Sequence, residues 1–534
     1  MKKLLIIIVV IIVIVVVWLL AKGGGKKPSE EVQLTPELAI EYITTRQVVD
    51  LTHLVTDDIP TWPGFKPPIR NNLYNLEEHG FFMNVWDSVG EHVGTHIGVP
   101  KHFGGDLTLE QVDIHNFIAP LVVIDCSDSV ANNPDYQMTV TDIEEWEKAN
   151  GPIPNGAFVI MKSGWSARWA GGNEAFRNMD EEGVMHFPGL GLEAAKWLVE
   201  NRNIVGFGHE TLGTDYGPSK DFAVEYYLLG DVNRYQVEVL ANVDKLPPKG
   251  ALFVVLPPKF ENASGFPARA YAILPDPRPG VDDTKFEGLD LWKVFDYIKN
   301  WTWVDLTHTV TADMPTWPGF EPPVRINLYN LEEHGFFMNV WNNVGEHVGT
   351  HIGAPKHFGG DLELADIDVS KFVVPFVVID CSDSVANNPD YQMTVADIQE
   401  WESKHGEIPK GAIVIMRSGW GARWEQGNEA FRNTDEEGVM HFPGLGLEAA
   451  KWLVENRDIV GFGHETLGTD YGPSKDFAVE YYLLGDANRY QVEVLANVDK
   501  LPETGGIFLL GAPKFANASG FPARAIAIFP PTTK

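Results

Sequence analysis

Cysteine and positive charge are both scarce in this chain of 534 residues. Only two cysteines occur, Cys126 and Cys381, and they occupy the same place in two copies of a repeated sequence. Each follows an apolar run, which is typical of a small buried side chain rather than of a disulfide framework. Lys and Arg number 41 against 74 Asp and Glu, a formal net charge of −33. A surface this acidic repels phosphate backbones, so we expect no nucleic-acid partner.

Long apolar runs are also rare, and the exception lies at the amino terminus. Leu4–Leu20 is an unbroken apolar run flanked by lysines, and with Ala21 it is long enough to cross a bilayer core of about 30 Å. We therefore predict a transmembrane signal-anchor and its flank over residues 1–27, followed by a tether over 28–47. A cleaved signal peptide is the alternative, although its apolar region is usually shorter. Three Asn-x-Ser/Thr sequons favour the lumen or the outside, so we predict a single-pass membrane protein whose soluble part is luminal or extracellular.

Most of the chain is a tandem duplication. Val49–Leu274 aligns with Val304–Phe529 at a constant offset, the same offset that separates His92 from His347. The agreement is closest over Gly183–Pro247, whose copy differs only in having Asp458 for Asn203 and Ala487 for Val232. The repeated unit is far longer than the 20–50 residues of stacked solenoid repeats. Each copy is therefore a complete domain.

The duplication sets the domain organisation. We predict one domain over residues 48–275 and a second over 303–534, joined by a linker over 276–302 that ends in a short helix. Within each copy, apolar strands alternate with amphipathic helices such as Thr141–Ala149, with Thr141 as its cap, and Gly191–Asn201. This alternation is typical of an α/β fold.

A short motif concentrates histidine, of which the whole chain has 16. Gly-Glu-His-Val-Gly-Thr-His-Ile-Gly-Val-Pro-Lys-His-Phe begins at Gly90, and returns at Gly345 with one substitution. Gly and Pro disfavour a helix here, and an extended segment would put His92 and His96 on one side. Neutral imidazoles bind Zn²⁺, Mn²⁺ or Fe²⁺, and an oxygen ligand normally completes such a site. His102 follows a proline turn as a further ligand or a general base; three unrelated loop histidines are the alternative interpretation.

The motif resembles His-x-Gly-Thr-His-x-Asp-x-Pro-x-His, the signature of the cyclase family, which includes bacterial kynurenine formamidases and isatin hydrolases. The similarity extends over almost the whole of each repeat. Further matching segments in the first repeat are Asp50-Leu51-Thr52, Trp62-Pro63-Gly64, Phe187-Pro188-Gly189, Leu228-Leu229-Gly230 and Glu238-Val239-Leu240-Ala241-Asn242.

The resemblance implies a swivelling β/β/α fold in each repeat, a mononuclear or dinuclear metal centre, and hydrolysis of amide bonds. It also assigns roles. The implied metal ligands that match are His92, His96, Glu238, His347, His351 and Glu493, and the implied acid/base residues are His102 and His357.

Two positions depart from the family pattern in both repeats. The motif aspartate is replaced by Gly98 and Gly353, and a further histidine ligand by Glu225 and Glu480. A carboxylate lost at one ligand position and gained at another would preserve a mononuclear site of two His and two Glu. The same changes would equally mark a site that binds no metal.

The leading hypothesis is a metal-dependent hydrolase, using Zn²⁺ or Mn²⁺, that acts on an aryl formamide such as N-formylkynurenine or on a cyclic amide. The alternative is a pseudoenzyme that binds small ligands or partners. We also expect the two repeats to form an intramolecular pseudo-dimer. Aromatic residues near the motif are predicted to line the substrate pocket, with core packing as the alternative: Trp62, Phe81, Phe82, Trp86, Trp317, Phe337 and Trp341.

Overall fold

Each repeat is built around one nine-stranded sheet, and the computed structural model describes residues 33–531. In each sheet four parallel strands lie side by side, and antiparallel strands extend them on both sides. The first sheet contains, in spatial order, Arg46–Asp50, Arg269–Pro277, Leu252–Leu256, Ile118–Asp125, Phe158–Lys162, Gly206–Gly208, Tyr235–Glu238, His96–Gly98 and Gly265–Pro267. The second sheet contains, in the same order, Thr302–Asp305, Arg524–Phe529, Gly506–Gly511, Val373–Asp380, Ile413–Arg417, Gly461–Gly463, Tyr490–Glu493, His351–Gly353 and Gly520–Pro522. The predicted α/β class is confirmed.

The chain connectivity shows that each sheet is curled. Gly265–Pro267 is the ninth strand of the first sheet and Arg269–Pro277 is the second, yet only Ala268 separates them in the sequence. Neighbouring strands lie about 4.8 Å apart, so one residue could not join these positions across a flat sheet. Each sheet is therefore rolled into a half-barrel.

Helices cover these half-barrels at corresponding places in the two repeats. The α-helices of the first repeat are Pro36–Thr44, Leu76–His79, Ser127–Asn132, Val140–Asn150, Gly172–Arg177, Leu192–Arg202 and Ala223–Glu225. Those of the second are Leu291–Ile298, Leu331–His334, Ser382–Asn387, Val395–His405, Gly427–Arg432, Leu447–Arg457 and Ala478–Glu480. Two π-helices, Tyr226–Asp231 and Tyr481–Asp486, follow the last helix of each set.

One helix begins two residues earlier than the sequence pattern indicates. The structure has Val140–Asn150 with Thr139 as its N-cap, where the prediction had Thr141. The side chain of Thr139 accepts from the backbone N–H of Asp142, whose carboxylate in turn accepts from the Thr139 backbone. This reciprocal capping box stabilises the earlier start.

Smaller sheets join the two repeats. Ile69–Tyr74 and Met83–Asp87 form a hairpin in the first repeat, and its third strand, Val344–Gly345, comes from the second repeat. The converse sheet contains Val324–Tyr329, Met338–Asn342 and Val89–Gly90. The remaining strands pair within each repeat: Gln137–Met138 with Gly189–Leu190, and Gln392–Met393 with Gly444–Leu445. The repeats thus share backbone hydrogen bonds as well as side-chain contacts.

The predicted tether differs from the structure, whereas the short helix predicted at the end of the linker is present. Residues 36–44 of the predicted tether form a helix that buries Ala39, Tyr42 and Ile43 and packs against a strand of the second repeat. The end of the predicted linker is the equivalent helix, in which the indole N–H of Trp292 donates to the carbonyl oxygen of Ala251 over 2.7 Å. Both segments are thus folded parts of the repeats, and buried apolar side chains hold them in place.

The prediction of a single-pass membrane protein with a luminal or extracellular soluble part is corrected. Over residues 33–531, the structure contains no helix long and apolar enough to cross a membrane. The predicted span Leu4–Leu20 lies outside the described residues.

Candidate metal-binding active site

His96 and Glu238 face each other across two antiparallel strands. His96 begins the strand His96–Gly98, and its Cα partner in the neighbouring strand is Glu238. Directly opposed residues of antiparallel strands project to the same face, so the two side chains meet. His96 Nε2 lies 3.1 Å from Glu238 Oε2, and these residues are only 2% and 4% exposed.

The Nε2 atom of the His96 ring faces this contact. Its Nδ1 lies 2.9 Å from the carbonyl oxygen of Gly94, which can only accept, so in the neutral ring Nδ1 carries the proton. Burial acts to raise the pKa of Glu238, but His209 and His96 lower it to about 2, so this carboxyl is ionised. The His96 Nε2 atom and the carboxylate therefore stand close enough to share a proton or to bind one cation between them.

His92 presents a second lone pair. Ser264 Oγ donates its proton to Glu91 Oε2 over 2.6 Å, so towards His92 Nε2, 3.1 Å away, it can only accept. His92 Nε2 is therefore protonated, and its Nδ1 carries the lone pair. Burial, and then the neighbouring His102 and His96, lower the pKa of His92 well below its usual value. The ring is thus neutral at pH 7.

His102 is oriented by the other repeat. It lies in a short 3₁₀ helix, Pro100–Phe103, and its ring stacks on His92 with centroids 3.7 Å apart. Its Nδ1–H donates to the carbonyl oxygen of Phe337 over 2.7 Å, which leaves a lone pair on Nε2. Burial lowers the pKa of His102 to about 4, so this nitrogen is free to accept a proton at neutral pH.

The backbone after Glu238 is strained. Val239 has φ of 58°, a left-handed conformation that β-branched residues rarely adopt. It is held there by two hydrogen bonds: its N–H donates to the Thr211 carbonyl oxygen, and its carbonyl oxygen accepts from Thr95 Oγ1 over 2.6 Å. Strain of this kind is maintained where the surrounding structure fixes a functional side chain.

The space beside Gly98 is filled by Gln236. A Cβ atom at Gly98 would lie 3.1 Å from Gln236 Cγ and 3.2 Å from its Nε2. The Gln236 amide is fully buried, donates to Glu238 Oε1 over 3.0 Å and to Glu225 Oε1 over 3.3 Å, and accepts from Thr214. An amide thus occupies the side of the site where the resembled signature has a carboxylate.

Glu225 lines the same pocket as Glu238. Burial raises the pKa of Glu225 well above its usual range, and the negative charges of Glu238 and Asp215 raise it further.

His209 and Glu210 belong to separate hydrogen-bonding networks. His209 Nδ1 accepts from the Thr211 backbone N–H, and its Nε2 lies 2.9 Å from Thr214 Oγ1. Glu210 Oε2 accepts from Ser163 and Gly164 at the end of a buried strand. His209 Nε2 also lies 3.4 Å from Glu238 Oε1, so His209 helps to hold the candidate ligand, whereas Glu210 has the contacts of a structural group.

The candidate metal-binding atoms are not gathered around a single position in this structure. Within residues 33–531, no group of three or more His, Cys, Asp and Glu side chains is already gathered around one ion position. Yet His92 Nδ1 and His96 Nε2 are buried nitrogens for which the described part of the chain supplies no hydrogen-bond partner. Two imidazole nitrogens beside a carboxylate form a donor set that fits a divalent metal ion.

The pocket over these groups has an empty volume of about 540 Å³, including its open mouth. The structure places the predicted residue Trp62 in its wall. The other aromatic and aliphatic wall residues were not predicted from the sequence: Phe65, Val93, Phe103, Leu212, Phe222, Val239 and, from the second repeat, Phe336. The wall is therefore largely aromatic, and both repeats contribute to it.

Other predicted pocket residues lie elsewhere. Trp86 and Trp341 are buried between the repeats, where the Trp341 indole N–H donates to Glu91 Oε1 over 3.1 Å and Trp86 likewise donates to Glu346. The rings of Phe82 and Phe337 contact Lys356 and Lys101 instead of the pocket. Their loop neighbours Phe81 and Phe336 face the pockets instead.

The second repeat reproduces the arrangement. His351 Nε2 lies 3.0 Å from Glu493 Oε2, and the Nδ1–H of His357 donates to the Phe82 carbonyl oxygen over 2.6 Å. Its pocket is lined by Trp317, Phe320, His347, His351, His357, Phe358, Phe477, Glu480, Glu493 and, from the first repeat, Phe81. The chain thus holds two sites, each walled in part by the opposite repeat.

Comparison with known proteins places this geometry in a family. The model of the Cyclase family matches residues 49–216 and 304–471, more than half of the chain. The chain belongs to the Cyclase family. This confirms the family suggested by the histidine motif, in two tandem copies.

Three relatives illustrate the family. An isatin hydrolase from Roseibium aggregatum is 36% identical over 246 residues, which cover 43% of this chain and 92% of the relative. A kynurenine formamidase from Bacillus anthracis is 36% identical over 85 residues, 16% of this chain and 40% of the relative. The solved structure of isatin hydrolase A from Labrenzia aggregata bound to benzyl benzoate has 36% identity and a TM-score of 0.39, covering 43% of this chain and 93% of its own.

Proposed function

We propose that each repeat is a metal-dependent hydrolase of a small amide, with aryl formamides and cyclic amides as the substrate class. The observation that carries this proposal is the convergence of two free imidazole nitrogens, of His92 and His96, with the ionised Glu238 beside the neutral His102. The names of the relatives, isatin hydrolase and kynurenine formamidase, support the same reaction class.

The metal would be held by His92 Nδ1, His96 Nε2 and Glu238, with Glu225 as the remaining candidate ligand. A divalent cation such as Zn²⁺ or Mn²⁺ supplies Lewis acidity, which polarises the substrate carbonyl and lowers the pKa of water. Gln236 holds Glu238 through its amide and fills the space beside Gly98, which favours one ion per repeat over two.

His102 moves the proton in this mechanism. Its Nε2 accepts a proton from the water whose oxygen attacks the amide carbonyl carbon. As the carbon–nitrogen bond breaks, His102 returns that proton to the leaving nitrogen, so the products are a carboxylic acid and an amine. The carbonyl oxygen of Phe337 holds the ring in the tautomer that both transfers need.

The aromatic wall would select the substrate. Trp62, Phe103 and Phe336 surround the histidines and offer ring faces and edges to an aryl group. These side chains also restrict water around the reacting groups, which strengthens electrostatic interactions inside the pocket.

A ligand-binding scaffold without catalysis is the second candidate. It is favoured by the absence, among residues 33–531, of a ready-made cluster of three ligands, and by the amide of Gln236 beside Gly98. In that case the aromatic pocket would bind small aromatic molecules and leave them unchanged.

Metal content of the full chain, purified without chelators or a polyhistidine tag, tests the proposal. We expect about two transition-metal ions per chain, lost in the His92→Ala/His347→Ala variant and kept in a His53→Gln/His308→Gln control outside the pocket. Hydrolysis of isatin or N-formylkynurenine by the loaded protein would support the reaction class. A chain that takes up no Zn²⁺ or Mn²⁺ would refute the hydrolase and leave the scaffold.

A further inference from the structure

The carboxylate of Glu91 is a fully buried junction between the two repeats. Its Oε2 accepts from the backbone N–H and Oγ of Ser264, at 3.0 and 2.6 Å, and from the backbone N–H of Asn339 at 2.9 Å. Its Oε1 accepts from Asn339 Nδ2 at 2.7 Å and from Trp341 Nε1 at 3.1 Å. Three of these five donated hydrogen bonds come from the second repeat.

This junction controls the neighbouring histidine through Ser264. The hydroxyl of Ser264 has one proton, and the short bond to Glu91 engages it. Ser264 Oγ can then only accept from His92 Nε2, which keeps the lone pair on His92 Nδ1. If Glu91 lost its position, Ser264 could donate to His92 instead, and the proton of His92 would move to Nδ1.

The same junction exists in the opposite direction. Glu346 accepts from the backbone N–H and Oγ of Ser519 in its own repeat, at 3.0 and 2.6 Å. From the first repeat it accepts hydrogen bonds of 2.7–3.0 Å from the backbone N–H and Nδ2 of Asn84 and from Trp86 Nε1. His347 Nε2 lies 3.0 Å from Ser519 Oγ. Asn84 and Trp86 of the first repeat thus stand behind the histidine of the second.

We propose that Glu91 and Glu346 are positioning residues that fix the ligand tautomer of His92 and His347, and that each acts only while the opposite repeat holds it. The metal affinity of one repeat is then set in part by Asn339 and Trp341, or by Asn84 and Trp86, of the other. This inference rests on the proposed metal-dependent function. The inference extends that function, because it assigns control of each metal site to residues of the opposite repeat that contact neither metal nor substrate.

The expected loss of metal affinity can be taken from residues that hydrogen-bond to metal ligands in other proteins. Their loss typically lowers metal affinity 10- to 100-fold, because the ligand is no longer held in the orientation and tautomer that bind the metal. Removing one of the five hydrogen-bond donors to Glu91, with the other four intact, should give a loss at the lower end of this range. We expect about a 10-fold loss for Trp341→Phe, which removes only the indole N–H.

The duplicated chain provides its own matched control. In the His347→Ala/His351→Ala background only the first site can bind metal, and Zn²⁺ affinity is measured by calorimetric titration. Here Trp341→Phe is expected to raise the Kd for Zn²⁺ about 10-fold, whereas Trp86→Phe, the identical change at the equivalent position, leaves it unchanged. In the His92→Ala/His96→Ala background the two variants exchange effects.

Thermal unfolding separates positioning from packing. Trp341→Phe and Trp86→Phe remove equivalent buried groups, so we expect equal shifts in Tm but unequal shifts in Kd. Asn339→Ala and Asn84→Ala form a second crossed pair, should a tryptophan variant fail to fold. Equal effects of both partners on Zn²⁺ affinity would overturn the inference while the proposed function stands; no Zn²⁺ binding by either background would overturn both.

Discussion

The Nδ1–H of His102 donates to the backbone carbonyl oxygen of Phe337 over 2.7 Å, although the two residues lie 235 positions apart. The reverse bond, from the backbone N–H of Phe337 to the carbonyl oxygen of His102, makes this a closed two-way contact. His357 and Phe82 repeat it. The candidate base of each site therefore takes its orientation from the other half of the chain.

The first prediction concerns this base. In a chain whose second site is inactivated by His357→Ala, His102→Ala should lower kcat for amide hydrolysis by about 10²- to 10⁴-fold, because no group then moves the proton. Metal content should be retained, since His92 and His96 remain. Steady-state kinetics with metal analysis on the same sample check both. An unchanged kcat would show that another group transfers the proton.

A second prediction concerns the pocket wall supplied by the opposite repeat. In the same His357→Ala chain, Phe336→Ala should raise KM for an aryl amide about 10-fold, because it removes part of the aromatic contact area worth about 1 kcal/mol or more. Phe81→Ala, the equivalent change in the inactivated pocket, should leave KM as it is. The converse result would mean that each repeat walls its own site.

A third prediction concerns the missing carboxylate. Gly98→Asp should lower stability by about 1–3 kcal/mol, because its Cβ would press on Gln236, and should leave metal content unchanged. Adding Gln236→Ala makes room, and elemental analysis of Gly98→Asp/Gln236→Ala should find additional metal in the first repeat. Extra metal in Gly98→Asp alone would show that Gln236 does not obstruct a second ion.

A fourth prediction concerns acid stability. Burial, and then the charge of Lys514, lower the pKa of His53 from 6.5 to about 4. Between these values the unfolded chain binds a proton that the folded chain does not, so the free energy of unfolding falls as pH decreases from 6.5 to about 4. Urea unfolding across this range should give a shallower pH slope for His53→Gln, by up to one proton. An identical slope would contradict a neutral His53 ring in the folded chain.

A fifth prediction concerns the isolated repeat. Residues 289–531 alone would leave Glu346 without Asn84 and Trp86, and a buried carboxylate that lacks its partners is costly. We expect this fragment to self-associate into a dimer that restores the junction. Sedimentation velocity checks the mass; a stable monomer that binds Zn²⁺ as well as the full chain would oppose the prediction.

The local pattern predicted the candidate ligands but not the wall of the pocket. His92 and His96 are recognisable because an extended segment brings even spacings together, and the strand pairing of His96 with Glu238 completes that arrangement. Phe336 carried no comparable signal. It lies 234 positions after His102 in the sequence, and whether Phe336 or Phe337 faces the pocket depends on the direction of one loop residue relative to the other repeat.

The polar junctions were likewise not predictable. Glu91 stands next to His92 in the motif, and Ser264 lies in a much later Ala-Ser-Gly segment. Nothing in the sequence indicates that these two residues form a hydrogen bond. Trp341 looked like a pocket residue because aromatic rings near a motif suit either role. Its indole N–H is buried against Glu91, a contact that forms only where two hairpins exchange strands.

By itself the sequence determined the duplication, the α/β class, the family and the histidine motif, because these depend on residue identity, spacing and periodicity within a short stretch. Tertiary structure alone decided that helix 36–44 packs on the other repeat, that the pockets are shared, and that Glu91 is held across the interface. Periodicity specifies which face of an element is buried. It does not specify the partner, which is chosen by the shape and hydrogen-bonding complementarity of surfaces that meet only after the two repeats have docked.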